Sequence, residues 1–246
     1  MRKNIVYITI VAISFLLTMG CENPFDHKSK EKRKIDTSYN PVINPENFAS
    51  NIDNKYLPMK PGTKYVYKVI TEDGIERGET YITHETKTIL GVTCTVVDDR
   101  LWLNDNLIEA TFDWYAQDKD GNVWYFGEDS KEYENGNVVS IAGSWEAGVN
   151  GAKPGIVMKA NPKVGDSFRQ EYLFNEAEDM SEILGLGETA IIDKGTYTNC
   201  LKTKDWSPIE TDVIENKYFA QGIGLVLVVT VKGDSEREEL VDILTE

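Results

Sequence analysis

Residues 218–231, with the sequence YFAQGIGLVLVVTV, decide the fold class of this 246-residue chain. Gly222 and Gly224 separate a short aromatic stretch from the apolar, β-branched run at 225–231. Such a run is typical of a strand that is buried on both faces. Two strand-like runs joined by a short glycine turn predict a β-hairpin.

A similar hairpin pattern occurs earlier in the chain, at residues 114–124. The two copies share further landmarks. Gly62 and Gly165 stand near their starts, and Cys94 and Cys200 follow within them. Matching landmarks are separated by 103 to 106 residues. This nearly constant spacing predicts a domain built from two similar halves.

The remaining patterns are also mostly those of strands. Tyr65, Tyr67 and Val69 alternate with polar residues, which predicts a half-buried strand. Asp73-Gly74 and residues 104–106 are turn sequences between strand-like runs. Only residues 176–184 resemble a helix, and weakly. The sequence therefore predicts a mainly β, antiparallel fold, either a sandwich or a strongly curved sheet.

The first 20 residues have the features of an export signal. Arg2 and Lys3 precede an apolar run from Ile5 to Met19, and Gly20 stands before Cys21. The run is shorter than the roughly 20 apolar residues that a membrane-spanning helix needs.

Residues 16–21, LLTMGC, resemble the lipobox of bacterial lipoproteins, although Leu17 is one position later than the usual leucine. The resemblance implies cleavage before Cys21, a thioether-linked diacylglycerol and acyl chains such as palmitate. Membrane lipid would then be the anchor of an exported cell-envelope protein. An ordinary signal followed by an incidental cysteine is the alternative.

The chain divides at composition changes. Residues 1–20 are the predicted signal, and residues 21–55 are polar and proline-containing, which predicts a flexible tether. The first β half is expected at 56–145, a glycine-rich connecting loop at 146–160, and the second β half at 161–246. A plain connector and a functional loop both suit the loop sequence.

Three stretches resemble bacterial secreted proteins of unknown function: residues 56–67, 111–136 and 218–226. The likeness covers most of residues 56–231. It implies a β-rich extracytoplasmic domain and brings no assigned catalytic residues.

The formal net charge is −15. A surface of this sign argues against nucleic acid as a partner, because nucleic-acid binding depends on neutralising phosphates with Lys and Arg. The charge is consistent with cation binding.

Asp118, Asp120 and Asn122 place oxygen atoms at alternate positions, as a calcium loop does. The spacing fails the EF-hand pattern, because Gly121 stands fourth instead of sixth. A hairpin turn at Asp120-Gly121 is the favoured interpretation, and both roles are compatible. Apart from this calcium site, no cofactor is expected.

Trp114, Trp124 and Trp145 are candidate ligand-binding residues, because aromatic rings stack on sugars and on apolar ligands. Packing in the core is the favoured alternative for such rings.

Cys94 and Cys200 remain after Cys21. The oxidising compartment permits a disulfide between them. Two separate buried thiols are an equally weighted alternative.

Catalytic groups are scarce, since His27 and His84 are the only histidines. The leading hypothesis is a non-enzymatic, lipid-anchored β domain that binds an unidentified ligand or envelope protein. An envelope carbohydrate hydrolase is the runner-up, based on acidic and aromatic content. A structural or assembly lipoprotein without a small ligand is the third.

Overall fold

The computed structural model describes residues 33–246, and the predicted signal and Cys21 lie outside them. The described part is a 15-stranded sheet, with one short 3-10 helix at Pro45–Asn47. All its strand pairs are antiparallel. The mainly β, antiparallel prediction is therefore confirmed, and of its two forms the single sheet is present. Within residues 33–246, no helix is long and apolar enough to cross a membrane.

The first half begins with five strands, each paired with the next. These are β1 (Thr63–Thr71), β2 (Gly74–Ile89), β3 (Val92–Leu103), β4 (Asn106–Gln117) and β5 (Val123–Glu134). The predicted turns stand between them. Asn104 and Asp105 both have positive φ, 50° and 62°, as the two central residues of a type I′ hairpin turn require.

Three short strands follow and pair with β5. They are β6 (Asn137–Ser140), β7 (Trp145–Glu146) and β8 (Lys153–Met158). The expected connecting loop at 146–160 therefore contains a strand. Glycine does not exclude a strand here, because Gly155 lies inside β8 at a close backbone contact. A Cβ on Gly155 would be 2.4 Å from the carbonyl carbon of Gln170.

The second half has seven strands. They are β9 (Ser167–Arg169), β10 (Glu171–Tyr172), β11 (Met180–Ile192), β12 (Gly195–Trp206), β13 (Ile214–Ala220), β14 (Gly224–Lys232) and β15 (Arg237–Thr245). The weak helix prediction at 176–184 is wrong, because strand β11 begins at Met180, inside this range. Ser181 and Ile183 are buried on either side of a less buried Glu182, which is the period of a strand.

The two halves meet where β15 pairs with β1 on one side and with β14 on the other. The sheet's two ends are β10 and β9, which are consecutive in the chain. Gln170 alone separates these strands in sequence. The sheet is therefore curved so strongly that its opposite edges lie one residue apart along the backbone.

The two halves open with the same turn. Gly62 N donates to Ile82 O at 2.8 Å, and Gly165 N donates to Ile183 O at 2.9 Å. Both glycines have positive φ, 82° and 87°. The two turns are alike, and the internal duplication stays a prediction.

The expected tether at 21–55 is partly ordered against the sheet. Phe48 contacts Trp124 edge-on, with the ring centroids 6.3 Å apart. Tyr39 donates its hydroxyl to Pro154 O at 2.8 Å, and Ile52 is buried in the core. These few apolar side chains anchor residues 33–55, although the segment is polar on average.

Candidate functional site

The interior of the curved sheet is acidic, which the sequence analysis did not predict. Buried carboxyl groups come from both halves and act electrostatically on one another. Each of their residues is less than a tenth exposed. They include Asp99, Asp113, Glu128, Glu171, Asp179, Asp205, Glu215 and Glu238.

Strand periodicity places these groups on one face. On β4, Glu109, Thr111 and Asp113 are two residues apart and all buried, whereas Phe112 between them is exposed. Their partners on β5 are also polar, since Asp113 stands opposite Glu128. The polar face of this hairpin therefore points inward, contrary to the usual hydrophobic pattern.

Each half contains an aspartate that is held by a hydroxyl group of the preceding strand. Thr80 Oγ1 donates to Asp99 Oδ2 at 3.2 Å, and Ser181 Oγ donates to Asp205 Oδ1 at 2.8 Å. Both aspartates follow the repeated cysteine by five residues. Thr80–Asp99 and Ser181–Asp205 are both direct cross-strand pairs. The two pairs thus occupy matching positions in the two halves.

The two halves differ on the strand that follows this aspartate, which is β4 in the first half and β13 in the second. In the second half, Lys217 Nζ lies 3.3 Å from Asp205 Oδ2 and 3.7 Å from Glu215 Oε2. The matching residue of the first half is Asp113, since each stands three residues before the repeated alanine. The second half therefore has a cation against its aspartate, whereas the first half has a second acid.

A pocket lies beside the two acids of the first half. Its cavity volume is about 30 Å³, enough for one or two water molecules. Asp99 and Asp113 line it together with Tyr65, Tyr67 and Tyr115. The remaining wall is mainly apolar and comes from three places: residues 57–59, strands β2 and β3, and the β13–β14 hairpin at 223–225.

Tyrosine hydroxyls connect the walls of this pocket. Tyr67 donates to Leu225 O at 3.3 Å, and Tyr65 donates to Pro58 O at 3.5 Å. Among the lining residues, Pro58, Tyr65 and Ile223 reach solvent most, whereas both aspartates are buried. The pocket thus opens between residue 58 and the hairpin, and has its acids on the inner side.

Burial governs the charge state of the two acids. Desolvation raises the pKa of Asp113 to about 7, although the Tyr125 hydroxyl, 2.6 Å from Oδ1, acts in the opposite direction. The pKa of Asp99 is raised well above its usual value, first by burial and then by the charges of Asp113 and Glu238. The charges that act on these two acids are mainly those of other carboxyl groups.

Two further carboxyl groups beside these acids each have one oxygen atom that lacks a hydrogen-bond partner among the described residues. Glu128 Oε2 and Glu238 Oε2 have no hydrogen-bond partner among residues 33–246. Glu128 is 3% exposed and Glu238 is 5% exposed. A buried polar atom without a partner costs free energy, so the interior around Asp99 and Asp113 has unused capacity to accept hydrogen bonds.

The predicted calcium loop forms the β4–β5 turn. Asp118 Oδ1 accepts the Asn122 backbone N–H at 2.8 Å. Asp118 Oδ2 accepts the Asn122 side-chain N–H and the Trp124 indole N–H, each at 2.8 Å. The favoured turn interpretation describes these contacts. Residues 33–246 contain no group of three or more His, Cys, Asp or Glu residues that could hold a metal ion. Calcium binding here stays a prediction.

A second, more polar pocket lies at this turn. It has a volume of about 240 Å³, and Asp118, Asp120 and Trp124 line it with Lys119, residues 42–44 and residues 47–48. The structure therefore brings together two of the predicted oxygen donors and one of the predicted tryptophans. The Asp118 carboxylate is already fully engaged by the turn.

The other two candidate tryptophans are core residues. Trp114 and Trp145 are buried, and Trp145 packs edge-on against Tyr125 with the ring centroids 5.2 Å apart. The ammonium of Lys87 lies 3.3 Å from the centre of the Trp114 ring. Core packing, the favoured alternative in the sequence analysis, describes both positions.

Cys94 and Cys200 are free buried thiols in the structure. They belong to two different clusters of core residues. Equivalent residues of two similar halves approach each other only near the axis that relates them, and these two are not paired. Of the two alternatives, the structure has the separate thiols.

Sequence reasoning missed Asp99, Asp113, Asp205 and Lys217, because acidic residues are too numerous for any pair to stand out. A usable signal did exist. The predicted repeat aligns Asp99 with Asp205 and Asp113 with Lys217. Aligning the two copies residue by residue would have found the change from an acid to a lysine.

The chain matches no known protein-family model and no curated protein. Two solved structures are similar to it, each at 13% identity and over 78% of this chain. The first is from Bacteroides fragilis and is described as a protein thought to be exported, with a YmcC-like fold; the TM-score is 0.46 over 100% of its length. The second is from Parabacteroides distasonis and is described as a protein thought to be a lipoprotein, with a TM-score of 0.38 over 99% of its length. Neither description names a ligand or an activity.

Proposed function

We propose that this protein is a lipid-anchored β domain of the cell envelope that binds a small ligand in the Asp99–Asp113 pocket, without catalysing a reaction. Cys21 would be the lipidated residue, and residues 22–32 would lead from the membrane to the folded domain. The single observation that carries the binding role is the pocket, whose wall comes from both halves and whose inner side has two buried acids.

The lining of the pocket supports binding. Ligand sites are mostly apolar with a few placed polar groups, and here Leu57, Ile82 and Val97 surround the two aspartates. The mainly apolar wall would bury the apolar surface of a ligand, whereas the two acids would select its polar group. Glycoside hydrolysis also uses two carboxyl groups, but it needs them to flank a sugar ring. A cavity of about 30 Å³ is too small for a ring between them.

Native mass spectrometry tests the binding role. The mature protein is incubated with a small-molecule extract of its own envelope, and wild type is compared with Ile223→Trp and Ile191→Trp. Ile223 lines the pocket and is partly exposed, so a larger side chain there should block entry. Ile191 is 67% exposed on β11 and does not line the pocket.

We expect added mass on wild type and on Ile191→Trp, and its loss on Ile223→Trp. No added mass on wild type, or equal added mass on both variants, would contradict the proposal. Release of a cleaved sugar product from the extract would instead favour the hydrolase.

A further inference from the structure

The comparison of the two halves identifies the chemical class of the ligand. We infer that the Asp99–Asp113 pocket binds a small organic cation, namely a primary ammonium group on a short apolar body. The inference rests on the proposed function, because it concerns the same pocket.

The second half has an ammonium group, that of Lys217, at the corresponding position. In the second half, its ammonium lies 3.3 Å from Asp205, and both side chains are at most 5% exposed. The first half repeats the aspartate and its hydroxyl donor in Asp99 and Thr80. The residue of the first half that corresponds to Lys217 is Asp113, and a cavity lies beside Asp113. A bound ammonium would restore in the first half the ion pair that the second half contains.

Two carboxyl groups near the pocket, those of Glu238 and Glu128, have unused acceptor atoms. The Glu238 carboxyl acts electrostatically on Asp99 and Tyr67, both of which line the pocket. Its Oε2 atom has no hydrogen-bond partner within residues 33–246. Glu128, opposite Asp113 on β5, has an unpaired Oε2 as well. Neither glutamate lines the pocket, but Glu128 is the cross-strand partner of Asp113 and Glu238 acts on Asp99. An ammonium group has three N–H donors and no acceptor, which suits these acidic surroundings.

The lining distinguishes an organic cation from a metal ion. A hard divalent ion requires about six to eight oxygen ligands. Apart from its two aspartates, Thr80 and three tyrosines, the pocket is lined by apolar side chains and one glycine. Tyrosine faces attract cations, and Leu57, Met59 and Leu225 can cover an alkyl chain. The cavity of about 30 Å³ has room for the ammonium group, and the alkyl chain would lie in the opening between Pro58 and Ile223.

The experiment compares n-butylamine with two probes of the same length, neutral n-butanol and anionic butyrate. Ligand-observed NMR is recorded on the mature lipidated protein in nanodiscs at pH 8, and the signal of empty nanodiscs is subtracted. Hydrogen bonds to charged groups are worth about 1.5–3 kcal/mol. We therefore expect n-butylamine to bind at least about tenfold more tightly than n-butanol, and butyrate not to bind.

Variants locate the binding. Asp113→Asn should weaken the binding of n-butylamine by about tenfold and leave the binding of n-butanol unchanged, because the substitution removes the charge and keeps the side-chain size. Asp113→Lys should abolish amine binding, because it introduces the residue of the second half. Asp129→Asn is the control, since Asp129 is a partly exposed residue of β5 that does not line the pocket.

Three results would overturn the inference. If all three probes bind equally and Ile223→Trp removes all of them, the pocket is a binding site but not one for cations, and the proposed function stands. If Ca²⁺ displaces n-butylamine at a micromolar concentration, the cation is a metal ion. If no probe binds and the envelope extract adds no mass, both the inference and the proposed function are contradicted.

Discussion

Lys217 Nζ lies 3.3 Å from Asp205 Oδ2, with 4% and 5% of the two side chains exposed. The opposing charges of Asp205, Glu215 and Asp179 raise the pKa of Lys217 although its burial acts in the opposite direction. The lysine is therefore the cation that balances the acidic interior in the second half.

Removing this lysine should destabilise the domain. Breaking one side of a buried ion pair costs about 3–5 kcal/mol, because the remaining charge is left unpaired. We expect Lys217→Met to lower the free energy of unfolding by that amount in urea denaturation. Lys232→Met is the control, since the exposed pair of Lys232 with Asp212 should contribute less than about 1 kcal/mol. Equal losses for both variants would contradict the role assigned to Lys217.

The buried acids should make the protein less stable as the pH rises. Burial raises the pKa of Glu109 to about 8, that of Glu238 to about 8 and that of Asp113 to about 7. Between the ordinary carboxyl pKa of about 4 and these values, the folded state binds more protons than the unfolded state. With respect to these groups, the free energy of unfolding is therefore highest below about pH 4.5 and decreases as the pH rises towards 8.

Thermal melts at pH 5 and at pH 8 measure this effect. We expect the higher melting temperature at pH 5, and a smaller difference for Glu109→Gln, which cannot ionise. A melting temperature that stays level or rises towards pH 8 would show that the interior carboxyl groups titrate normally.

Most strands follow from local sequence. The alternation at Tyr65–Tyr67–Val69, the turns at Asp73-Gly74 and 104–106, and the apolar run at 225–231 all form strands or turns as predicted. These features depend only on neighbouring residues. Strand period and turn chemistry are local properties, so they can be predicted without knowledge of the fold.

The inner face of β4 could not be predicted in the same way. Period two allows either Phe112 or Asp113 to point inward, and hydrophobicity favours Phe112. The structure buries Asp113, because a curved sheet with acidic groups from both halves encloses it. Similarly, the pairing of β8 with β5 and β10 depends on the three-dimensional fold and leaves no signal in the local sequence. Pro154 and Gly155 within β8, together with the glycines just before it, therefore suggested a loop.

Gly155 should be essential for the close approach of β8 to the segment that joins the sheet's edges. A Cβ there would lie 2.4 Å from Gln170 C and 2.6 Å from Arg169 O. Backbone atoms cannot move aside cheaply, so we expect Gly155→Ala to cost about 1–3 kcal/mol in urea denaturation. Gly78→Ala, whose nearest contact would be 3.4 Å from Tyr67 Cβ, is the control. No loss for Gly155→Ala would show that the segment is free to shift.

Cys94 and Cys200 should both be reduced. Burial raises the pKa of the Cys94 thiol to about 12, so it should react slowly in the folded protein. In unfolded, unreduced mature protein we expect a thiol reagent to label two cysteines, because a lipidated Cys21 cannot react. Intact mass gives the number of labels. Protein without any label would demonstrate a bridge, and a third label would show that Cys21 is unmodified.

The affinity for n-butylamine at pH 6 and at pH 8 tests the central claim most directly. Asp113, whose pKa is raised to about 7, must lose its proton to pair with an ammonium. Its ionised fraction rises about tenfold across this range, so the affinity should rise about tenfold as well. Asp113→Asn should show a weaker affinity and a much smaller pH dependence. An affinity of wild type that is unchanged or lower at pH 8 would contradict the account of this pocket as a cation site.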